Sequence, residues 1–251
     1  MTHPSEAFQP PRHRPPTTLL TRLLFQLRLL TDFQVRTVER AVRTFLQNST
    51  GTVADIGCGM SPYRHLFDRF HVSYLGVDTV DAGDFQYHNS SVVSFDGKHL
   101  PFADNFLEGF ICTEVVEHLE DPAAFIMEIH RVLKPGGRGL FTIPWSARFH
   151  YIPFDYGRYT PTRLSQFCQA FATVEVQPRG TDLTVIAAKL IVLFIRQVQS
   201  LWKGKLLSLF GLLLLLPVLP FALLFGHLSL LLHLGSTDDP LGYTVLVSKS
   251  A

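Results

Sequence analysis

Short apolar runs punctuate the chain, and the first four are followed at once by a glycine or an acid. Val53, Ala54 and Ile56 form the first, which reads as a buried parallel strand. Val72–Val77, Ser91–Phe95, Phe110–Thr113, the stretch GRGLFTIP at 137–144, Ala172–Val176 and Tyr243–Val247 read as six more. Helical stretches lie between them. Thr17–Gln47 predicts helix with a break near Thr31–Asp32, where a second helix is capped. Ser61 and Pro62 suit the N-cap and first turn of a helix. Asp121 and Pro122 start a helix over Ala123–Leu133, which Lys134-Pro135-Gly136-Gly137 closes. Thr160 and Pro161 head another over Thr162–Phe171.

Before the last strand the pattern changes. Thr184–Trp202 is apolar but interrupted by Lys189, Arg196, Gln197 and Gln199, which suits an interfacial helix better than a span. Leu206–Leu234 contains no Asp, Glu, Lys or Arg and is long enough for one bilayer crossing. A single crossing would strand the last strand on the wrong side of the membrane. Pro217 and Pro220 divide the segment into arms that reach only about 17–21 Å, short of a ~30 Å hydrocarbon core. The preferred expectation is a hairpin dipping into one leaflet, with Arg196, Lys203 and Lys205 at the headgroups of the cytoplasmic face. The alternatives are two crossings that recruit Thr184–Trp202 as the first span, and a soluble dimer interface. The leucine-rich LLTRLLFQLRLL, with Arg22 and Arg28, either covers the sheet edge or lies on a membrane surface.

Composition changes this picture little. The chain has 251 residues, a net charge of +1 and 17% charged residues, so nothing suggests a nucleic-acid partner. Cys58, Cys112 and Cys168 are isolated, which indicates reduced thiols in a cytosolic compartment. Met1–Pro16 is proline-rich, is expected to be disordered and lacks the pattern of a signal peptide.

The chemistry begins at Thr52–Pro62, TVADIGCGMSP, where a strand runs into a glycine turn. Such a turn lets backbone approach a ligand at the carboxyl end of a sheet. A dinucleotide fingerprint wants a glycine where Pro62 stands, which argues against NAD. Asp78 falls about twenty residues on, where a carboxylate can accept both ribose hydroxyls, a device shared by several nucleoside-binding families.

DIGCG resembles motif I of the class I S-adenosylmethionine (SAM) methyltransferases. Further resemblances follow in order: Asp96 four residues before Leu100-Pro101-Phe102, then VEHLEDP at 116–122 and LKPGG at 133–137. FDYGRYTPTRL at 154–164 resembles a segment of many bacterial members. Together these resemble the ubiquinone and menaquinone methyltransferase-like, type 11 branch. Ser61 departs from the pattern where motif I often has its third glycine.

The resemblance implies an α/β, Rossmann-like, seven-stranded, mostly parallel sheet with helices on both faces. The apolar helical insertion would lie between its last two strands. The division is then a tail at 1–16, a core at 17–182, an insertion at 183–239 and the last strand of the core at 240–251. It implies SAM as cofactor, bound by Asp55, Gly57, Cys58, Gly59, Asp78, Asp96, Gly97 and Thr113, with Asp55 at the methionine part and Asp96 near the adenine amino group.

Methyl transfer needs alignment above all, and a hydroxyl or amine acceptor also needs a base. His118, His150, Asp155 and Tyr156 are the candidates. Glu114, Glu117 and His118, spaced to share a helical face, resemble the metal-binding turn of quinone O-methyltransferases and small-RNA 3′-end methyltransferases. His150 or Asp155 would be a further ligand. The Glu-His pair also occurs in members without metal, so a divalent ion is the second choice. The expected function is methylation of a lipophilic small-molecule or lipid-linked acceptor at the cytoplasmic face of a membrane. The alternative is a non-catalytic SAM-binding scaffold carrying an anchor, against which the acids Asp55, Asp78 and Asp96 count.

Overall fold

The computed structural model describes residues 15–79 and 92–251. The expected tail lies outside these up to residue 14, as does Ser91 at the start of the expected third strand. The elements run α1 (Leu19–Thr31), α2 (Phe33–Gln47), β1 (Thr52–Ile56), α3 (Arg64–Phe70), β2 (Ser73–Thr79), β3 (Val93–Phe95) and β4 (Leu107–Thr113). After a 3-10 turn at Val116–His118 come α4 (Pro122–Val132), β5 (Leu133–Pro144), α5 (Pro161–Phe167) and β6 (Thr173–Arg179). Then follow α6 (Asp182–Trp202), α7 (Leu207–Leu215), α8 (Leu219–Leu232) and β7 (Gly242–Ser248).

The strands form one sheet in the order β3-β2-β1-β4-β5-β7-β6. β1 pairs in parallel with β2 and β4, and β7 runs antiparallel between β5 and β6. The chain therefore turns away from β1 in one direction and returns to pair β4 on its other side. This leaves a crevice at the carboxyl ends of β1 and β4.

Burial explains why the strands read as unbroken apolar runs. Successive side chains point to opposite faces. Ala54, Phe110 and Phe141 pack under α4 and α5, while their neighbours Val53, Ile111 and Leu140 pack under α2 and α3. Both faces are covered, so no polar alternation is left.

Several boundaries differ from expectation. Ser61 is not an N-cap: its φ is 55°, and α3 starts at Arg64 without a side-chain cap. The Lys134–Gly137 stretch does not merely close α4. The helix ends at Val132, and Leu133 already pairs with Leu107 as the start of β5, with a register shift before Gly109. α5 stops at Phe167, short of Phe171, and β6 continues to Arg179. The break between the first helices is as expected, with Asp32 accepting from Val35 N at 3.1 Å. α2 covers the sheet, whereas α1 buries only Phe25 and Leu29.

The insertion is a hairpin, but not one folded at the prolines. The α7–α8 axis bends by only 48° there. The reversal lies at Lys203–Leu206, where Gly204 has φ 78°. Contacts between α6 and the return arm run antiparallel: Thr181 Oγ1 meets Ser229 Oγ at 2.5 Å, and Cβ atoms at Gly226 and Gly211 would strike Ala187 and Gln197. The root of α6 is built into the core, where Val185, Ala187 and Ile191 join Phe33 and Leu241. By length and composition α6 is apolar enough to cross a membrane, yet its first half is packed on protein.

Candidate active site

The glycine turn is shaped by what surrounds it. Gly57 has φ 72°, and a Cβ there would collide with Val115. Its N–H donates to Val77 O at 2.8 Å, locking the turn to the end of β2. Gly59 N–H donates to Asp78 Oδ2 at 2.6 Å, and Thr79 N–H donates to Asp78 Oδ1 at 2.8 Å. Cys58 is buried, and burial pushes its thiol up to about 12, so it is a neutral spacer.

Asp55 is the unusual group. It is 1% exposed, and its Oδ1 has no hydrogen-bond partner among the described residues. Oδ2 lies 3.2 Å from the Tyr74 hydroxyl, which is itself 2.8 Å from Ser61 Oγ. Burial pushes the Asp55 carboxyl up to about 7, Tyr74 opposes this, and the neighbouring Asp78 charge adds to it. A buried carboxylate oxygen without a donor is costly unless a ligand supplies one. SAM carries an ammonium and two ribose hydroxyls. Asp55 and Asp78 therefore fit its two polar ends.

Asp96 sits at the tip of β3, with its side chain largely exposed. Its Oδ1 accepts from the backbone N–H groups of His99 and Lys98 at 2.6 and 2.7 Å, which hold its carboxyl down at about 2. Gly97 turns the chain with φ 81°. Thr113 ends β4, in register with Thr142. Asp55, Asp78 and Asp96 thus lie at the same end of the sheet, as β1 pairs with β2 and β2 with β3.

On the other side of the crevice the expected Glu114–Glu117–His118 face does not form. Glu114 takes φ 54°, and only Val116–His118 is helical, so the three share no helical turn. Glu114 instead receives Arg179 Nη2 at 2.7 Å. Arg179 also donates to Thr37 Oγ1 at 3.1 Å and to the carbonyl of Ile143 at 3.3 Å, so it ties together α2, β5, β6 and the tip of β4. What gathers is Glu117, His118 and His150, whose ligand atoms all lie within 4.8 Å of one another. Glu117 is fully buried, and neither carboxylate oxygen has a hydrogen-bond partner among the described residues.

His118 Nδ1 donates to Phe154 O at 2.7 Å, and His150 Nδ1 donates to Arg148 O at 3.0 Å. Their Nε2 atoms lie 3.6 and 3.7 Å from Glu117 Oε1. Burial lowers the His118 pKa. Burial also pulls on His150, but the Glu117 and Asp155 carboxylates outweigh it and raise its pKa. The other two candidate bases are brought near but are engaged. Asp155 accepts from His150 N at 3.0 Å and from Arg158 at 2.6 Å, and the Tyr156 hydroxyl donates to Glu120 at 3.0 Å. Tyr74 and Arg179 are site residues that the sequence did not single out. Tyr74 lies inside β2, before Asp78, and Arg179 ends β6; neither belongs to a motif, and the sheet brings both in.

Residues 54–141 match the family model described as "Methyltransferase domain". That stretch of the chain is a methyltransferase domain. A methyltransferase of uncharacterised role from Mycobacterium sp. (strain KMS) is 33% identical over 90 residues, 34% of this chain and 36% of that protein. The chloroplastic tocopherol O-methyltransferase of Arabidopsis thaliana is 26% identical over 134 residues, 47% of this chain and 38% of that protein. The chain thus matches little more than a third of the length of these curated relatives.

Among solved structures, a SAM-dependent methyltransferase from Archaeoglobus fulgidus superposes with a TM-score of 0.54 at 14% identity, covering 91% of this chain and 99% of that one. Phosphoethanolamine N-methyltransferase 2 of Haemonchus contortus, in complex with phosphomonomethylethanolamine and S-adenosylhomocysteine, gives 0.53 at 18%, covering 86% and 52%. These likenesses show that the chain shares their fold.

Proposed function

We propose that this methyltransferase transfers a methyl group from SAM to a lipophilic acceptor presented at a membrane surface. The observation that carries the cofactor half is Asp55, a buried carboxylate with an unmatched oxygen near the end of β1, two residues before the glycine turn. A scaffold with no ligand would gain by losing that charge. The cofactor supplies an electrophilic methyl on sulfur, and the chain's own residues do the rest. Asp55, Asp78 and the turn orient the donor. The wall holding Glu117, His118 and His150 offers the groups able to take an acceptor proton.

The lipophilic half is supported by the surface next to that wall. Trp145 and Ser146, which open the loop between β5 and α5 that carries His150 and Asp155, donate their N–H groups to Leu241 O at 3.0 and 3.1 Å. The Leu241 side chain packs into the hairpin root. From there the outer faces of α7 and α8 expose Leu207, Phe210, Leu213, Leu214, Phe221 and Leu224. His227 on α8 donates to Leu30 O at 2.8 Å, which brings up α1 and its exposed Leu19, Leu20, Leu23, Leu24 and Leu27. This apolar area is far larger than scattered surface leucines need.

Docking along the surface suits it better than a tip-first plunge. The tip carries Lys203 and Lys205 beside exposed Trp202, side chains that favour the headgroup level of an anionic, cytoplasmic leaflet. Only the part of α6 beyond Ile191 leaves the core, about 17 Å of helix, too short to span.

Labelled SAM incubated with the protein and a lipid extract tests the whole reading. Label should move into the organic phase. Binding of S-adenosylhomocysteine without any turnover would favour the scaffold. A stable dimer in solution that ignores vesicles would assign the apolar face to a second copy.

A further inference from the structure

We infer that Tyr74 is a positioning residue of the cofactor site: its hydroxyl joins the Asp55 carboxylate to the Ser61 corner of the glycine turn and leaves one Asp55 oxygen for the cofactor's ammonium. That role rests on the binding of SAM in the crevice; the contact itself does not. Three features converge on the phenol.

The first is register. Val53 stands opposite Tyr74, and Asp55 stands opposite Gly76. Residues two apart on a strand share a face, so Tyr74 starts on the face of Asp55 but two residues short of it. The ring must lie along β2 to reach the carboxyl end, and Gly76 clears its path. A Cβ at Gly76 would stand 2.9 Å from the Tyr74 hydroxyl, as well as 2.8 Å from Val92 Cγ1. The second feature is the clamp on the ring. Phe67 meets it edge-on with centroids 4.8 Å apart, and the Arg64 guanidinium lies 5.3 Å from its centroid. Both belong to α3, so the helix that follows the glycine turn also fixes the phenol.

The third feature is where the hydroxyl ends. It lies 3.2 Å from Asp55 Oδ2 and 2.8 Å from Ser61 Oγ. A phenol has one proton to give and can also accept. With Asp55 ionised, that proton goes to the carboxylate, and the Ser61 hydroxyl donates to the phenol oxygen. Ser61 has φ 55°, a backbone that suits glycine, and it stands where motif I often has one. A glycine there would give Tyr74 no second partner. Asp55 Oδ1 has no hydrogen-bond partner among the described residues.

A hydrogen bond to the charged form of an acid favours that form. Asp55 is faced by Tyr74 and Asp78 from β2, by Cys58 from the turn and by Cys112 from β4. Of these, Asp78 repels its charge and the phenol stabilises it. Tyr74 thus brings the ionised carboxylate, the form that holds an ammonium, within reach of neutral pH.

The test compares the full wild-type chain with Tyr74→Phe and Gly76→Ala. Titration of the Asp55 carboxyl is followed without ligand by carbon-13 NMR of aspartate-labelled protein, with Asp55→Asn assigning the signal. Affinity for S-adenosylhomocysteine is measured by calorimetry at about pH 7 and about pH 8.5. In Tyr74→Phe the titration midpoint should rise by roughly one pH unit. Binding should weaken roughly fivefold at the lower pH and by less than about twofold at the higher, where Asp55 is ionised in both proteins. Gly76→Ala keeps the phenol but displaces its tip, and should move the midpoint the same way; it keeps the test open should Tyr74→Phe fail to fold. An unmoved midpoint in folded variant overturns the proposal. So does an equal loss of affinity at both pH values, the mark of a ring that only packs. With a moved midpoint, absence of S-adenosylhomocysteine binding in the wild type counts against the cofactor reading and upholds the Tyr74–Asp55 contact.

Discussion

At the scale of single residues, Asp55 sets stability against binding. Its carboxyl titrates near 7 in the folded chain and at the ordinary 3.8 when unfolded, because burial disfavours its charge. The folded state therefore holds this proton to higher pH. Its contribution is fully present below about pH 4 and is lost as pH rises through about 7. Without ligand, the wild-type chain should lose on the order of 2–4 kcal/mol relative to Asp55→Asn across that window, read by urea unfolding at several pH values. The same proton must leave before Asp55 can hold an ammonium. Cofactor affinity in the wild type should rise ~5–10-fold from pH 6 to 7.5, while Asp55→Asn binds roughly 10–100-fold more weakly throughout. Calorimetry with S-adenosylhomocysteine measures both.

At this scale the sequence is informative where chemistry follows a strand. Asp55, Asp78 and Asp96 are legible because each lies at or just beyond the end of a buried apolar run. Glu114 misleads for a physical reason. Its partner, Arg179, lies 65 residues on, and a left-handed backbone at Glu114 breaks the helical spacing that suggested a shared face.

Between elements, Arg179 and Gly226 are the joints. Arg179 is buried and bonds to α2, β5, β7 and Glu114. Arg179→Met takes the cation from Glu114 and one donor from each of two strand carbonyls, and should cost about 3 kcal/mol in denaturant unfolding, the lower end for a buried pair because Glu114 is partly exposed. Gly226 lets α8 lie against Phe33 and Ala187. Gly226→Val should cost about 1–3 kcal/mol by overpacking and should loosen the hairpin root, seen as faster proteolysis of α8.

The hairpin also shows what local rules leave open. Proline at the start of a helix is compatible with the helix that follows it. Pro217 and Pro220 therefore only kink the return arm, by 48°, and Gly204 between two lysines makes the reversal. Apolar content alone did not mark that point. The strands were easier, because a sheet covered on both faces leaves an unbroken apolar record, as at Phe110–Cys112 and Leu140–Phe141.

For the whole molecule, α1 and α8, each with exposed leucines, are joined by the His227–Leu30 bond. Leu23→Glu combined with Phe221→Glu should change stability by less than about 0.5 kcal/mol each, since both sites are exposed. Sedimentation with anionic vesicles should fall at least roughly tenfold, since both charges would enter the apolar layer. Unchanged sedimentation would separate the apolar face from membrane docking.

The strand order carries a consequence for biosynthesis. β7 sits between β5 and β6, and in chain order it comes after the hairpin. Until β7 is made, β6 has no strand to pair with, and the greasy arms are complete before the sheet can close. A released chain truncated near residue 235 should therefore expose β6 to protease yet, if the proposed docking holds, already sediment with anionic vesicles. Docking would then precede closure of the sheet.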